Sequence, residues 1–357
     1  MRGRRISKTN PQIHVASTPK VFGLALKNPS QNLQLPLMNR RSFIKTTVVA
    51  AAASTVFKPF YIRAESKKYR FGFSQVTTVE PWRVQFNKDM MKEASKHPEL
   101  DLIITDGQDK TEKQVADVEN LIQQGVDVLL ISPKESAGLT GVVIKAVDAK
   151  IPVIVLDRNV ETDKYTQFIG GDNVLIGREA GKYAVELLGG TGKAKGNLIE
   201  LWGGMGTQPA HDRHDGFWEY MGKESGVKSL LDKQDCDWKQ QKAYEVMSTA
   251  LKAHDHVDLV YGHNDPEAYG AYLAAKDAGR DKEMKFIGID ALPDEGVTWV
   301  AKGQLTATFL YATPGAEGVR QGLKLMNGEK IEKKIVLGTK RIDKTNAQEV
   351  LKANGLA

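Results

Sequence analysis

Asp157 and Arg158 stand side by side directly after the apolar run Val153 to Leu156. A carboxylate only accepts hydrogen bonds and a guanidinium only donates them, so together they can hold a hydroxyl, which does both. They can equally satisfy each other. Similar residues follow other apolar runs: Trp82 and Arg83, Arg213, Trp238, Asn264 and Asp290. Aromatic faces pack on the C–H faces of a hydroxylated ring. Charged and amide groups bond its hydroxyls, at roughly 1.5–3 kcal/mol for each charged bond. Asp157 and Asp290 could also be read as a glycosidase pair, but nothing else completes a catalytic constellation. The arginines predict both carboxylates ionised, which disfavours a general acid. His211 and His214, with Asp212 and Asp215, have a spacing of three that suggests metal ligands only weakly; they read better as solvated rim residues. No metal and no cofactor is expected.

The elements that must position these groups alternate. Apolar runs beginning at Tyr69, Leu102, Val126, Ile151, Gln167, Asn197, Val257, Phe286 and Leu305 read as strands, about ten in all. Between them lie segments of helical period. Phe86, Met90 and Ala94 line one such face, with Pro81 suited to its first turn; Thr111 and Gln114 fit a capping box for the next. Strands buried on both faces, each followed by a helix, predict an α/β protein with parallel sheets. Ten strands are many for one sheet, so two sheets in two lobes are expected. In such sheets ligands bind beyond the carboxyl ends of the strands, where these residues fall. Two loops mimic other sites. Gly204 and Gly206 begin a dinucleotide pattern that fails at Pro209, and Gly192-Lys193 lacks both the first glycine and the hydroxyl of a phosphate loop.

The net charge of +6 is misleading. Residues 1–64 hold eleven Lys or Arg and no acid, leaving 39 basic and 44 acidic residues beyond, a net −5. Such a body has no cationic excess for nucleic acid. The single cysteine, Cys236, excludes an intrachain disulfide and a cysteine-based metal cluster, and leaves no cysteine to carry a lipid after the leader. Arg40 and Arg41, then Phe43, Ile44, Lys45 and a modest apolar stretch, are similar to a twin-arginine export signal over residues 38–64, with cleavage after Ala64. Translation is expected to start at Met38, making residues 1–37 a start-site artefact or a disordered stretch.

Several motifs in one order carry a resemblance across residues 68–345. They are Phe73 to Gln75 with Trp82-Arg83, Pro152 to Arg158, Gly171 to Asn173, the segment around Arg213, His263 to Asp265, and Ile287 to Asp294. The chain resembles the type I periplasmic sugar-binding proteins of ABC importers, the ribose and galactofuranose group. Trp82-Arg83 is closer to the galactofuranose branch; the ribose branch has Phe in place of Trp82. The resemblance implies two Rossmann-like lobes, each a parallel sheet flanked by helices, joined by a three-segment hinge with the sugar between them. It implies lobes of residues 65–172 plus 312–337 and 173–311 plus 338–357. Asp157, Arg158, Arg213, Asn264 and Asp290 match ligand contacts, and Trp238 matches a stacking aromatic. Tyr311 takes the last hinge-side contact, usually Gln or Glu. That departure, with Pro133 after Ser132, leaves the sugar open among furanoses, pyranoses and polyols.

The implied function is extracytoplasmic capture of a monosaccharide or polyol for an ABC permease, without catalysis. The protein would be a soluble periplasmic monomer without a lipid anchor, meeting the membrane only through the permease. A sensor subunit read by a membrane receptor and, less favoured, a carbohydrate-active enzyme are the alternatives. A sugar-responsive repressor would carry a helix-turn-helix where this chain has an export signal.

Overall fold

The computed structural model describes residues 68–356. The expected start at Met38, the export signal and its cleavage site lie outside the described residues.

The first series of elements is β1 (Tyr69–Gln75), α1 (Pro81–Ala94), β2 (Leu100–Asp106), α2 (Thr111–Gln123), β3 (Val128–Ile131), α3 (Ser136–Asp148), β4 (Val153–Leu156) and β5 (Gln167–Gly171). The second is α4 (Asn173–Leu187), β6 (Lys195–Leu201), α5 (Gln208–Met221), β7 (Gly226–Ser229), α6 (Gln240–Ala253), β8 (Leu259–Gly262), α7 (Asp265–Asp277) and β9 (Lys285–Ile287). A π-helical turn, Pro293–Val297, leads into α8 (Thr298–Ala301). Then come β10 (Ala307–Phe309), α9 (Gly315–Met326), β11 (Lys334–Leu337), β12 (Arg341–Asp343) and α10 (Ala347–Ala353).

Two six-stranded sheets result, ordered β11-β5-β4-β3-β1-β2 and β12-β10-β9-β8-β6-β7. Every strand pair is parallel except β10 with β12. This is the expected α/β class in two lobes. The chain passes between the sheets after β5, after β10 and after β11. In each sheet the strand order reverses beside the first strand, β1 or β6, so loops leaving neighbouring strand ends diverge and open a crevice. The runs Val128 to Ile131 and Val153 to Leu156 are buried throughout because helices cover both faces.

Among the described residues there are twelve strands rather than about ten. β7, β11 and β12 escape a reading by apolar runs because they are short edge or near-edge strands with partly exposed residues. The capping box expected at Thr111 and Gln114 does not form: Lys110 is the N-cap, without a side-chain cap. Gln114 is instead buried, its amide donating to the backbone oxygens of Ser74 (3.2 Å) and Ser132 (2.7 Å), which ties β1 to β3. A complete capping box stands at α7, where Asn264 accepts from the Glu267 amide (2.8 Å) and Glu267 reaches back to the Asn264 amide.

Candidate ligand-binding site

In the first lobe the site is built on the ends of β1, β3 and β4 and the first turn of α1. Pro81 opens α1, which places Trp82 and Arg83 on its buried side. The guanidinium of Arg83 pairs with Asp157 at 2.7 Å and donates to the hydroxyl of Ser132 at 2.7 Å. Ser132 donates in turn to Asp157 Oδ2 (3.1 Å), and Tyr311 donates to Asp157 Oδ1 (2.7 Å). Arg158, which adjacency in the chain could have paired with Asp157, has its Nε 3.8 Å away, and its Nη1 donates to the backbone oxygen of Lys134. The strand turns at Asp157 with φ of 66°, and this swings Arg158 away from its neighbour and toward the crevice. Burial pushes the Asp157 carboxyl upward, but Arg83, Arg158 and the Tyr311 hydroxyl outweigh it and hold it below the usual range. Arg158, buried beside Arg83, is lowered to about 10.

In the second lobe Arg213 lies near the start of α5. Its Nε donates to Asn173 Oδ1 (2.9 Å) and its Nη1 to the backbone oxygen of His263. Trp238 is held by its backbone: its amide donates to Glu267 (2.9 Å) and its oxygen accepts from Asn264 (3.1 Å). The indole lies on Gly203 and Gly204. A β-carbon on Gly203 would stand 2.3 Å from the ring, so the turn that imitates a dinucleotide loop is the bed for this indole. The guanidinium of Arg158, from the other lobe, sits 5.4 Å from the Trp238 ring centre, and that of Arg213 sits 5.2 Å away.

All nine residues singled out from the sequence line one cavity: Trp82, Arg83, Asp157, Arg158, Arg213, Trp238, Asn264, Asp290 and Tyr311. The space left between them is small for a ligand site. Glu80 and Pro209 also line it and were missed. Glu80 stands just before the helix-starting Pro81, a position that reads as a cap, and its carboxylate lies 3.5 Å from Arg83 Nε. Burial raises the Glu80 carboxyl, with Arg83 and Arg158 opposing.

Asp290 is the contrast to Asp157. It is 6% exposed, and among the described residues nothing hydrogen-bonds or ion-pairs with its carboxylate. The arginines do not hold it down as they hold Asp157. Burial pushes its carboxyl well above the usual range, Asp265 adds to the rise, and Arg213 offsets only part of it.

The reading of His214 as a solvated rim residue is also corrected. Its Nδ1 lies 3.0 Å from Glu200, its ring packs on Trp202 at 4.3 Å, and Glu200 also meets His263 at 3.0 Å and the indole N–H of Trp218 at 2.8 Å. His211 is bound to the Met205 oxygen at 2.8 Å. Among the described residues no group of three His, Cys, Asp or Glu is arranged to hold a metal, and no helix is long and apolar enough to cross a membrane.

The lobes meet at the lip of the cavity. Lys239 of the second lobe pairs with Asp109 of the first at 2.7 Å, and Asp109 also takes Lys134 at 2.6 Å. Asp237 lies 2.7 Å from Lys239 and 3.8 Å from Lys134. The Ser136 amide donates to the Gly206 oxygen across the same gap (3.3 Å). The crevice is therefore closed.

Comparison with known proteins agrees with this architecture. The family model described as a periplasmic binding protein domain matches residues 71–330. The ribose import binding protein of Salmonella typhimurium is 34% identical over 270 residues, 75% of this chain and 88% of that protein. The galactofuranose-binding protein of Escherichia coli is 36% identical over 231 residues, 62% of this chain and 71% of that protein. Among solved structures, the fructose-binding periplasmic domain of a hybrid two-component system superposes with a TM-score of 0.77 at 39% identity, covering 80% of this chain and 94% of that one. A galactofuranose-binding protein does so with a TM-score of 0.74 at 30% identity, covering 80% and 98%. A fold of two doubly wound lobes closed on one cavity, matched by that family model over most of the described residues, places the conclusion beyond the fold alone: the chain belongs to the periplasmic binding protein family.

Proposed function

We propose that this chain is a non-catalytic binding protein that captures a monosaccharide or related polyol between its lobes and delivers it to an ABC import permease. The observation that carries the reading is the buried carboxylate of Asp290, without a partner among the described residues, in one small cavity with Arg83, Arg158, Arg213 and two indoles. A ring hydroxyl that accepts from a guanidinium and donates to Asp290 would fit that set, with ring C–H faces against Trp82 or Trp238. Relatives named for ribose import and galactofuranose binding support the ligand class. Trp82, Arg83, Asp157 and Arg158 act from the first lobe; Arg213, Trp238, Asn264 and Asp290 act from the second, with Tyr311 at the crossing between them. The lobes are residues 65–172 with 312–337, and 173–311 with 338–357. The protein works as a monomer in the periplasm, exported through its paired Arg40 and Arg41.

A thermal-shift screen across pentoses, hexoses, their furanose-forming isomers and inositols tests this reading. A true ligand at a hundredfold excess over its dissociation constant stabilises by about 2.7 kcal/mol. The same sugar should be recovered unchanged after long incubation. No stabilisation by any member of the panel, or catalytic conversion of one, would overturn the reading. Replacing Arg40 and Arg41 with Lys should leave the precursor in the cytoplasm.

A second reading has a specific support: a solved relative at 39% identity is the fructose-binding periplasmic domain of a hybrid two-component system. In that case the sugar-loaded protein would co-purify with a membrane receptor instead of a permease.

A further inference from the structure

The polar capacity of the cavity is unevenly distributed. Tyr311 follows β10, pinned by its amide to the Asp290 oxygen (3.1 Å) and by its own oxygen, which accepts from the Trp82 indole N–H (2.9 Å). Its phenol proton is committed to Asp157 at 2.7 Å, and the Asn173 amide approaches the same oxygen at 3.4 Å. The Trp82 and Tyr311 rings stack, centres 5.2 Å apart and 23° between planes, and the Arg213 guanidinium lies over the phenol ring at 4.5 Å. A β-carbon on Gly171 would stand 2.5 Å from Tyr311 Cε2, so the phenol fills its corner down to the backbone. Both heteroatoms that this corner could offer are therefore taken. What Trp82 and Tyr311 turn toward the ligand is carbon.

We infer that Tyr311, with Trp82, makes the pocket select a deoxysugar, a ring whose hinge-facing edge carries a methyl or methylene group, over the counterpart with a hydroxyl there. The inference rests on the sugar-binding reading above and narrows it. A hydroxyl pressed against these two side chains loses its water and finds no partner on either of them, whereas a methyl group loses nothing. An apolar surface rejects an added hydroxyl by about a hundredfold at most. Elsewhere in the cavity the unpaired carboxylate of Asp290 and the guanidinium of Arg158 keep the capacity to read the remaining hydroxyls.

Three matched pairs test this by calorimetry: D-galactose with D-fucose, L-mannose with L-rhamnose, and D-ribose with 2-deoxy-D-ribose. In the pair that binds best, the parent should favour the deoxy member by about tenfold or more. Tyr311→Phe, which keeps the carbon edge, should retain that ratio even where overall affinity falls. Tyr311→Gln, which puts a free amide in the corner, should bring the ratio to within about threefold or invert it. A parent that favours the hydroxylated member, or a ratio unchanged in Tyr311→Gln with the variant folded, overturns the inference. If none of the six sugars binds the parent, the inference falls. The wider thermal-shift panel then decides separately whether the sugar reading falls with it.

Discussion

Asp157 and Asp290 are the same side chain in two electrostatic situations. Both end apolar strands, and both have positive φ, 66° and 137°. Such conformations are rare away from glycine and concentrate at sites where a side chain must be aimed. Asp157 already has Arg83, Ser132 and Tyr311 as partners, whereas Asp290 has none among the described residues. Asp290→Asn should therefore weaken sugar binding by about ten- to a hundredfold, the loss of a charged hydrogen bond, while barely changing stability. Asp157→Asn should do the reverse in part, lowering the melting temperature because Arg83 is left buried beside an uncharged partner. Titration calorimetry and thermal melts separate the two.

Glu200 gives a pH prediction. Burial alone would raise its carboxyl, but hydrogen bonds from His214 and His263 hold it down to about 2. Its folded value lies below that of an unfolded glutamate, near 4.3, so its contribution is present above that pH and is lost as pH falls toward 2. Glu200→Gln should be less stable at pH 7 by roughly 1–3 kcal/mol and should lose less stability than the parent between about pH 4.5 and 2. Urea melts across that range would read the difference; parallel curves would exclude it.

At the scale of elements, what aims Arg213 is the contact between α4 and α5. β-carbons on Gly177 and Gly181 would stand 2.4 and 2.5 Å from backbone oxygens of α5, and one on Gly216 would stand 2.2 Å from a backbone oxygen of α4. The helices touch backbone to backbone, which sets the 2.9 Å bond from Arg213 to Asn173. Gly177→Ala should force them apart, costing about 1–3 kcal/mol and weakening sugar binding together with stability. Binding at parental strength in a destabilised variant would mean that α5 can shift without Arg213. None of this was legible in the chain, since each glycine's neighbour comes from a different helix. What was legible had a period or a terminus: the buried runs of β3 and β4, the apolar face of α1, and polar residues just beyond strand ends. The main partner of Asp157 was not legible, because adjacency along the chain offers only Arg158. Arg83 arrives from a helix 74 positions earlier in the numbering. His214 was misread because a histidine beside two aspartates looks solvated until Glu200 of β6 is placed beneath it.

For the whole molecule, closure brings Asp109, Lys134, Asp237 and Lys239 into one alternating set of charges across the lip. Each such partly exposed pair is worth about 0–1 kcal/mol and weakens with salt. Lys239→Ala should therefore speed sugar release by no more than about fivefold at low ionic strength, and the difference should vanish in about 1 M salt. Stopped-flow release at the two ionic strengths checks it, and an equal effect in both would point to lost packing instead of lost charge. The indole of Trp238 supplies a readout of the same event. Its N–H is buried and has no hydrogen-bond partner among the described residues, and a cation from the opposite lobe hangs over its ring. An excited indole relaxes to longer wavelength only where mobile dipoles can reorient around it. In the closed protein Trp238 should emit toward the blue; parting the lobes removes Arg158 and wets the nitrogen, shifting the emission to the red. The protein carries its own optical gauge of occupancy, and Trp238→Phe would darken it.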